Sequence, residues 1–341
     1  MQEEYYGDDQ ETGSFWAVHR VDLHRGLRAI AEEMGVVVTL GQEVTGVNCE
    51  WGVVRFKRED EEEKRFDLVV IADGAHSQLI EDFLGSPSPV KRTGRSIYRW
   101  LTSMDEVTAD PVLRQTYSGP AGFVAFGDKE MKVLWVTYMC RGGKVLNNAI
   151  VHDTRLHEEN GGGSKDSIWH VPASTDQVLG LLDEYNFHPS VKSIVTMANE
   201  DGIKAHHLYK RPALESFIRG KTLVVGDAAH VMMPTHAAGG GIAIESAASL
   251  EVLFQGVRGS DEKTLKQRLE IWNSLRLPRC NLTMLASNAG PRWLHVPGVE
   301  EEVRKYYQGP LPPLGSKPYS KVFRDVLFKH DEYRTANEAL D

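Results

Sequence analysis

The residues best suited to chemistry lie between positions 221 and 251, KTLVVGDAAHVMMPTHAAGGGIAIESAASLE, where a carboxylate and a run of glycines flank a proline. Positions 222–225 are a short apolar, β-branched run, which predicts a strand of a parallel sheet buried on both faces. Gly226-Asp227 ends that strand. A carboxylate just past the carboxyl end of such a strand stands where open α/β sheets bind ligands, and Asp227 can accept hydrogen bonds from a polyol or ribose. Beyond Pro234, Gly239, Gly240 and Gly241 open a helix in which Ile242, Ala247, Leu250 and Phe254 recur at helical spacing. Glycines at a helix start leave backbone N–H groups bare at the positive end of the dipole, where a negatively polarised ligand atom can sit.

Two other stretches hold a charge at the end of an element. In FWAVHRVDLHRGLRAIAEEMG, Leu23, Leu27, Ile30, Ala31 and Met34 share one helical face, and Gly35 is placed to stop the helix. Arg20 therefore lies at the helix start, where a guanidinium can serve a phosphate or simply join a surface ion pair. In DLVVIADGAHSQLIEDFLG an apolar strand over 68–71 runs into Asp73-Gly74, and Ser77 is placed to cap the helix that follows. An Asp-Gly turn alone carries little information.

Together the GDAAH segment with its proline and glycines, the His19-Arg20-x-x-Leu23 segment and Asp73-Gly74 resemble the motifs of the single-component flavin-dependent aromatic hydroxylases, the salicylate and para-hydroxybenzoate hydroxylase group. The resemblance begins around Phe15 and covers nearly all the remainder. It implies that Asp227 binds the ribityl chain of FAD and that Pro234 lies beside the isoalloxazine. It places Gly239 and Gly240 at the N1/O2 edge, Arg20 against FAD, and Asp73 where FAD and the reduced nicotinamide meet. Ser246 stands where many relatives carry an acidic residue, which predicts one cofactor-side contact fewer.

The elements that must position these residues fall into an α/β fold with an α+β insertion: a partial Rossmann-like FAD-binding layer and an antiparallel-sheet substrate domain. Strands are predicted over 36–40, 43–48, 53–57 and 66–71. Near Ser86-Pro87-Ser88-Pro89 the pattern changes to shorter, alternating segments with Gly- and Asn-rich loops. We expect a first FAD-binding segment over 1–89, a substrate-binding β-sheet domain over 90–212, a second FAD-binding segment over 213–290 and a helical tail over 291–341. The glycines at 161–163 predict a flexible loop, positions 178, 181, 182 and 185 one face of a helix, and Pro278 an interruption of the amphipathic helix that begins at Leu265.

In the resembled family the inserted sheet roofs the flavin. Arg99 in SIYRWL and Tyr138 in VLWVTYMC are then the catalytic candidates, an arginine to clamp a phenolate or carboxylate and a tyrosine to exchange its proton. The plainer alternative makes Tyr138 a core residue and Arg99 an exposed strand residue.

Composition narrows the function classes. Of 341 residues, 41% are hydrophobic and 26% charged, and 48 acidic against 39 basic residues give a formal charge of −9, which argues against a general nucleic-acid or anionic-membrane binder. The acidic run 59–64 reads as a solvated hairpin turn. Three widely spaced cysteines match no metal or redox pattern and point to a reducing, cytoplasmic compartment. None of the thirteen histidines has the spacing of a zinc site, so no metal is expected. No apolar run approaches a membrane span.

No G-x-G-x-x-G occurs in the sequence. In the family that turn, with its strand and helix, holds the FAD pyrophosphate. Its absence predicts weak or substoichiometric FAD binding and unpaired apolar edges on the strands near 68 and 222. It leaves two readings: a truncated or incomplete form of an FAD-dependent monooxygenase that hydroxylates a small aromatic or polyketide-like substrate with NAD(P)H and O2 in secondary metabolism, or a non-catalytic remnant kept as a binding or regulatory protein.

Overall fold

The computed structural model describes residues 17–57, 63–119, 123–155, 171–316 and 320–341, so the glycines at 161–163 and most of the acidic run at 59–64 lie outside the described residues. Its strands in chain order are β1 (Val44–Asn48), β2 (Val53–Phe56), β3 (Glu63–Arg65), β4 (Val69–Ile71), β5 (Lys91–Ser103), β6 (Phe123–Gly127), β7 (Leu134–Cys140), β8 (Val145–Asp153), β9 (Val171–Ala173), β10 (Ile203–Lys210), β11 (Ile218–Arg219) and β12 (Thr222–Val224). Two compact units emerge, Met1–Val38 with Arg92–Leu208, and Thr39–Lys91 with Tyr209–Asp341. The chain passes from one unit to the other at 38/39, 91/92 and 208/209. Residues 17–38 group with the inserted sheet, and 213–290 group with the described residues of 291–341.

The first unit is built on a six-stranded sheet in the order β6-β7-β8-β5-β10-β9, antiparallel at β6/β7, β7/β8, β8/β5 and β10/β9. Alternation in VLNNAIVHD explains its two faces, because successive side chains of a strand point to opposite sides. Leu146, Asn148, Ile150 and His152 are fully buried, while Asn147, Ala149 and Val151 between them are half-buried. On the covered face Trp100, Trp135 and Ile150 form one core with Val178 and Leu182 of the Thr175–Glu184 helix and Ile194 of the Pro189–Thr196 helix. Each such side chain contributes roughly 1.5–3 kcal/mol of burial. Asn148 is tolerated there because its carboxamide accepts from Trp135 Nε1 at 3.3 Å and donates to Thr102 Oγ1 at 3.1 Å.

The helix that starts at Arg20 runs Arg20–Glu33, as the spacing predicts, but its apolar stripe is not a core face. None of its residues is buried, and Leu27, Ile30 and Met34 are 53%, 56% and 79% exposed. An ion pair from Arg141, in the turn between β7 and β8, to Asp22 at 2.6 Å ties the helix to its unit. Hydrogen bonding from Arg141 holds the Asp22 carboxyl down at about 2, with burial opposing. Residues 36–40 form no strand, a correction to the sequence expectation. No described strand pairs with them, and a β-branched run becomes a strand only against a partner.

The second unit carries the sheet β1-β2-β3 and the sheet β11-β12-β4. The strand at 222 is not left with open edges. β12 lies in the centre, parallel to β4 and antiparallel to β11, with all three residues buried. β4 is the outer strand of that sheet, with Val70 45% exposed. Ser77 does accept a hydrogen bond from Ile80 N–H at 3.1 Å, although Gln78 is the residue that precedes the Leu79–Leu84 helix.

Two expectations about the long helices need correction. The Gly239–Phe254 helix buries Ile242, Ser246, Ser249 and Leu253, and Ala247 faces outward. Ser246 belongs to the core: its hydroxyl accepts from Arg276 Nε at 3.2 Å and its carbonyl from Trp272 Nε1 at 3.2 Å. The Glu262–Ala289 helix runs through Pro278 without a break, since flanking Arg276 and Arg279 anchor it to neighbouring helices on both sides of the missing N–H. Among the described residues no helix is long and apolar enough to cross a membrane.

Candidate functional site

In the first unit, the half-buried face of the six-stranded sheet carries Arg99 and Tyr138. Register places Arg99 of β5 opposite Ala149 of β8, and Ala149 opposite Val136 of β7. The next same-face row is Leu101, Asn147 and Tyr138. In these two rows the floor is apolar apart from Arg99, Asn147 and Tyr138.

Arg99 Nε is buried and has no hydrogen-bond partner among the described residues. Burial pulls its guanidinium below the ordinary value, with Tyr138 opposing and the like charge of Arg20 adding. Burial pushes the Tyr138 phenol up, against the pull of Arg99 and Arg20. Tyr138 is thus a neutral hydrogen-bond donor near pH 7 rather than a ready base. Arg20, exposed at its helix start, joins this pair electrostatically, so Arg20, Arg99 and Tyr138 gather in one unit. Two guanidiniums and a phenol over an apolar floor suit the anion of a planar organic molecule.

In the second unit, pairing of β4 with β12 brings Asp73 and Asp227 to the same end of neighbouring parallel strands. Val225 N–H donates to Ile71 C=O at 3.0 Å, and both chains then turn away through an aspartate that is exposed. Gly226 at φ 61°, ψ −148° occupies a region that glycine alone adopts readily. A Cβ on Gly239 would lie 4.0 Å from Asp227 Oδ1, whereas one on Gly240 or Gly241 would meet nothing within 4 Å. The Gly239–Phe254 helix starts without a side-chain cap, so its first N–H groups stay available. Pro234 opens the short Pro234–His236 turn just before it. A carboxylate for hydroxyls beside open glycines and free N–H groups fits the ribityl chain and polar ring edge of a flavin.

Arg211 escaped the sequence reading. It is 4% exposed, and it donates to Ala228 C=O at 2.7 Å, Ala75 C=O at 3.4 Å and Ser88 C=O at 3.2 Å. It thereby clamps the segments that follow both acidic turns. Burial lowers its pKa, while Asp73 and Glu81 raise it. An arginine at the end of a strand gives no local sign that two of its three partners lie more than a hundred residues upstream.

Glu245, His330 and Glu332 bring ligand-type atoms within 4.8 Å of one another. Arg276 and Arg279 already occupy those carboxylates, which makes the group an ion-pair network.

His230 of the GDAAH segment is buried, as is His236, and burial drives both down to about 4. Their folded values lie below the ordinary imidazole value of 6.5, so unfolding takes up protons. Stability is fully present above pH 6.5 and is lost as pH falls toward 4, at about 1.4 kcal/mol per pH unit for each histidine. Denaturant titrations at pH 7 and pH 5 should show a clear drop, and His230→Leu should remove about half of it. An unchanged pH dependence in that variant would contradict the assignment.

Residues 3–279 match the FAD binding domain family. Hispidin-3-hydroxylase of Neonothopanus nambi is 28% identical over 294 residues, covering 81% of this chain and 66% of that protein. FAD-dependent monooxygenase phomE of Diaporthe leptostromiformis is 28% identical over 298 residues, 84% of this chain and 74% of that one. Among solved structures, a salicylate hydroxylase substrate complex aligns with TM-score 0.68 at 21% identity, covering 94% of this chain and 75% of the other. CtdE in complex with FAD aligns with TM-score 0.63 at 17% identity, covering 97% and 78%. The chain spans about two thirds to three quarters of the length of the proteins it matches.

Proposed function

This chain belongs to the FAD binding domain family, and on that premise we propose that it is an FAD-dependent monooxygenase that hydroxylates a small aromatic or polyketide-like compound in secondary metabolism. The balanced reaction takes substrate, O2, NAD(P)H and a proton to hydroxylated substrate, NAD(P)⁺ and water. Bound FAD supplies the redox chemistry that joins nicotinamide oxidation to oxygen activation. The names of the fungal relatives support the reaction class.

The observation that carries this reading is Arg99 and Tyr138 in neighbouring rows of one sheet face, with Arg20 of the Arg20–Glu33 helix acting electrostatically on both. Arg99 holds the ionised oxygen of a phenol or enol, which makes the ring electron-rich at the carbon to be hydroxylated. Tyr138, kept protonated by burial, donates to the same oxygen and turns the ring to one orientation. The apolar floor around Val136 and Ala149 excludes water from the reacting carbon. Asp227, Gly239 and Gly240, with Pro234 and Asp73, are the proposed flavin contacts, all in the second unit. A cytoplasmic setting is part of this reading, supported by three buried free thiols.

The test is direct. Purified protein mixed with FAD should quench flavin fluorescence, and Asp227→Ala should weaken binding roughly 10- to 100-fold, the worth of hydrogen bonds to a charged acceptor. With NAD(P)H, 18O2 and a panel of phenols, product should carry one 18O. Flavin fluorescence that does not respond at all would favour the binding or regulatory reading instead.

A further inference from the structure

Asn147 lies on β8, the strand between Arg99 of β5 and Tyr138 of β7. It stands directly opposite Tyr138 and one diagonal step from Arg99, since its other direct partner, Leu101, is two residues along from Arg99. Directly opposed pairs of this kind hold their Cβ atoms about 5 Å apart and diagonal ones about 7–8 Å, within reach of one planar ring. Its neighbour Asn148 points to the covered face and spends its carboxamide on Trp135 and Thr102. The Asn147 carboxamide is half-buried and makes no hydrogen bond to a described residue. Two adjacent asparagines of one strand thus have opposite fates, Asn148 structural and Asn147 turned toward the proposed substrate with donors and an acceptor unspent.

Resting on the reading of this face as the substrate site, we infer that Asn147 is a specificity-determining residue that binds a second, neutral oxygen of the substrate. Arg99 takes the ionised oxygen because it is a cation with no counter-ion among the described residues. Asn147 carries no charge, so its N–H group discriminates for a carbonyl acceptor rather than for a second anion. The substrate class is accordingly a phenol or enol that also bears a carbonyl on the same conjugated system, such as an acylphenol or an enolised 1,3-dicarbonyl. A plain phenol would leave the carboxamide unpaired in a partly desolvated position.

Two probes of nearly equal shape separate the roles, 2,4-dihydroxyacetophenone with a carbonyl and 4-ethylresorcinol without one. Binding to the purified protein without NAD(P)H is read by calorimetry, and the bound phenol's ionisation by its absorbance across pH. Asn147→Leu should weaken the acetyl probe roughly 3- to 10-fold, the value of one net hydrogen bond. The ethyl probe should change less than about twofold, within what an isosteric side chain alters. Both bound phenols should keep the ionisation that Arg99 confers, and Asn147→Gln should restore part of the acetyl preference. The acetyl group also acidifies the phenol, but that portion of its advantage belongs to Arg99 and persists in the Asn147 variants. An acetyl-to-ethyl ratio unchanged by Asn147→Leu and by Asn147→Ala overturns the role of Asn147. Loss of both probes in equal measure overturns it too. If instead Arg99→Leu leaves the ionisation of both bound probes untouched, the substrate-site reading itself falls, and that result is separate from the ratio.

Discussion

Arg99→Leu is expected to yield a protein that is harder to unfold and much poorer at its reaction. A cation held in a half-buried apolar face, with its Nε unpaired and Arg20 as a like charge nearby, opposes folding. Replacing such a group by an apolar side chain of similar volume should stabilise the fold by about 1–2 kcal/mol, toward the lower end of what removal of buried ionic groups returns. Activity should move the other way. A buried donor aimed at an oxyanion is worth about 3–4 kcal/mol, so kcat/KM on a phenolic substrate should fall roughly 10²- to 10³-fold. The pH profile supplies the sign. A guanidinium next to the bound phenol lowers its pKa by about 1–3 units, so activity that depends on the phenolate rises at lower pH in the unmodified protein. Without Arg99 the rising limb should shift toward alkaline pH by a similar amount. A denaturation midpoint that falls along with activity would mean that Arg99 is structural.

Arg276→Met should cost about 3–5 kcal/mol of stability, measured by urea or guanidinium denaturation at pH 7, because it strands carboxylates that are already out of water. Arg276 is fully buried and pairs with Glu332, with Glu245 at 3.0 Å, with Ile242 C=O at 3.2 Å and with the Ser246 hydroxyl at 3.2 Å. Arg279 shares Glu245 at 2.9 Å and donates to Leu327 C=O at 2.6 Å, and His330 Nε2 lies 2.6 Å from the same Glu332 oxygen that Arg276 reaches. Burial alone would raise Glu245, but Arg279 and Arg276 hold it below its ordinary value. The network joins the Gly239–Phe254, Glu262–Ala289 and Glu332–Glu338 helices, so the helix that opens on Gly239 depends on it for its direction. Removing both partners, Arg276→Met with Glu332→Met, should destabilise less than Arg276→Met alone, since no buried charge is then left unmatched. A double variant that is additive would refute the coupling.

Local chemistry was legible wherever a residue's role is decided within a turn or two of chain. The apolar run at 222–224, the Gly226-Asp227 turn and the glycines at 239–241 read correctly as strand, turn and helix start, because β-branched residues, a left-handed φ and bare N–H groups are properties of the local backbone. Alternation in β5, β7 and β8 likewise announced an antiparallel sheet with Arg99 and Tyr138 on it. Periodicity did not extend to what a face meets in the fold. The stripe from Leu23 to Met34 is helical and exposed, and the run at 36–40 is β-prone and unpaired, since a pattern states what a face could bury and not what is there to bury it.

What the sequence determined by itself is the set of chemically capable residues and the short elements that carry them, for those follow from propensity, capping and turn geometry over a few residues. The tertiary structure alone decided which of them are neighbours. Parallel pairing of β4 with β12 sets Asp73 beside Asp227, Arg211 reaches back to Ala75 and Ser88, and the register of β8 turns Asn147 outward and Asn148 inward. A shift of one residue in that register would exchange the two asparagines. Register is chosen by the packing of a whole sheet face against its helices, an energy summed over residues distant in sequence, so no stretch of chain read alone contains it.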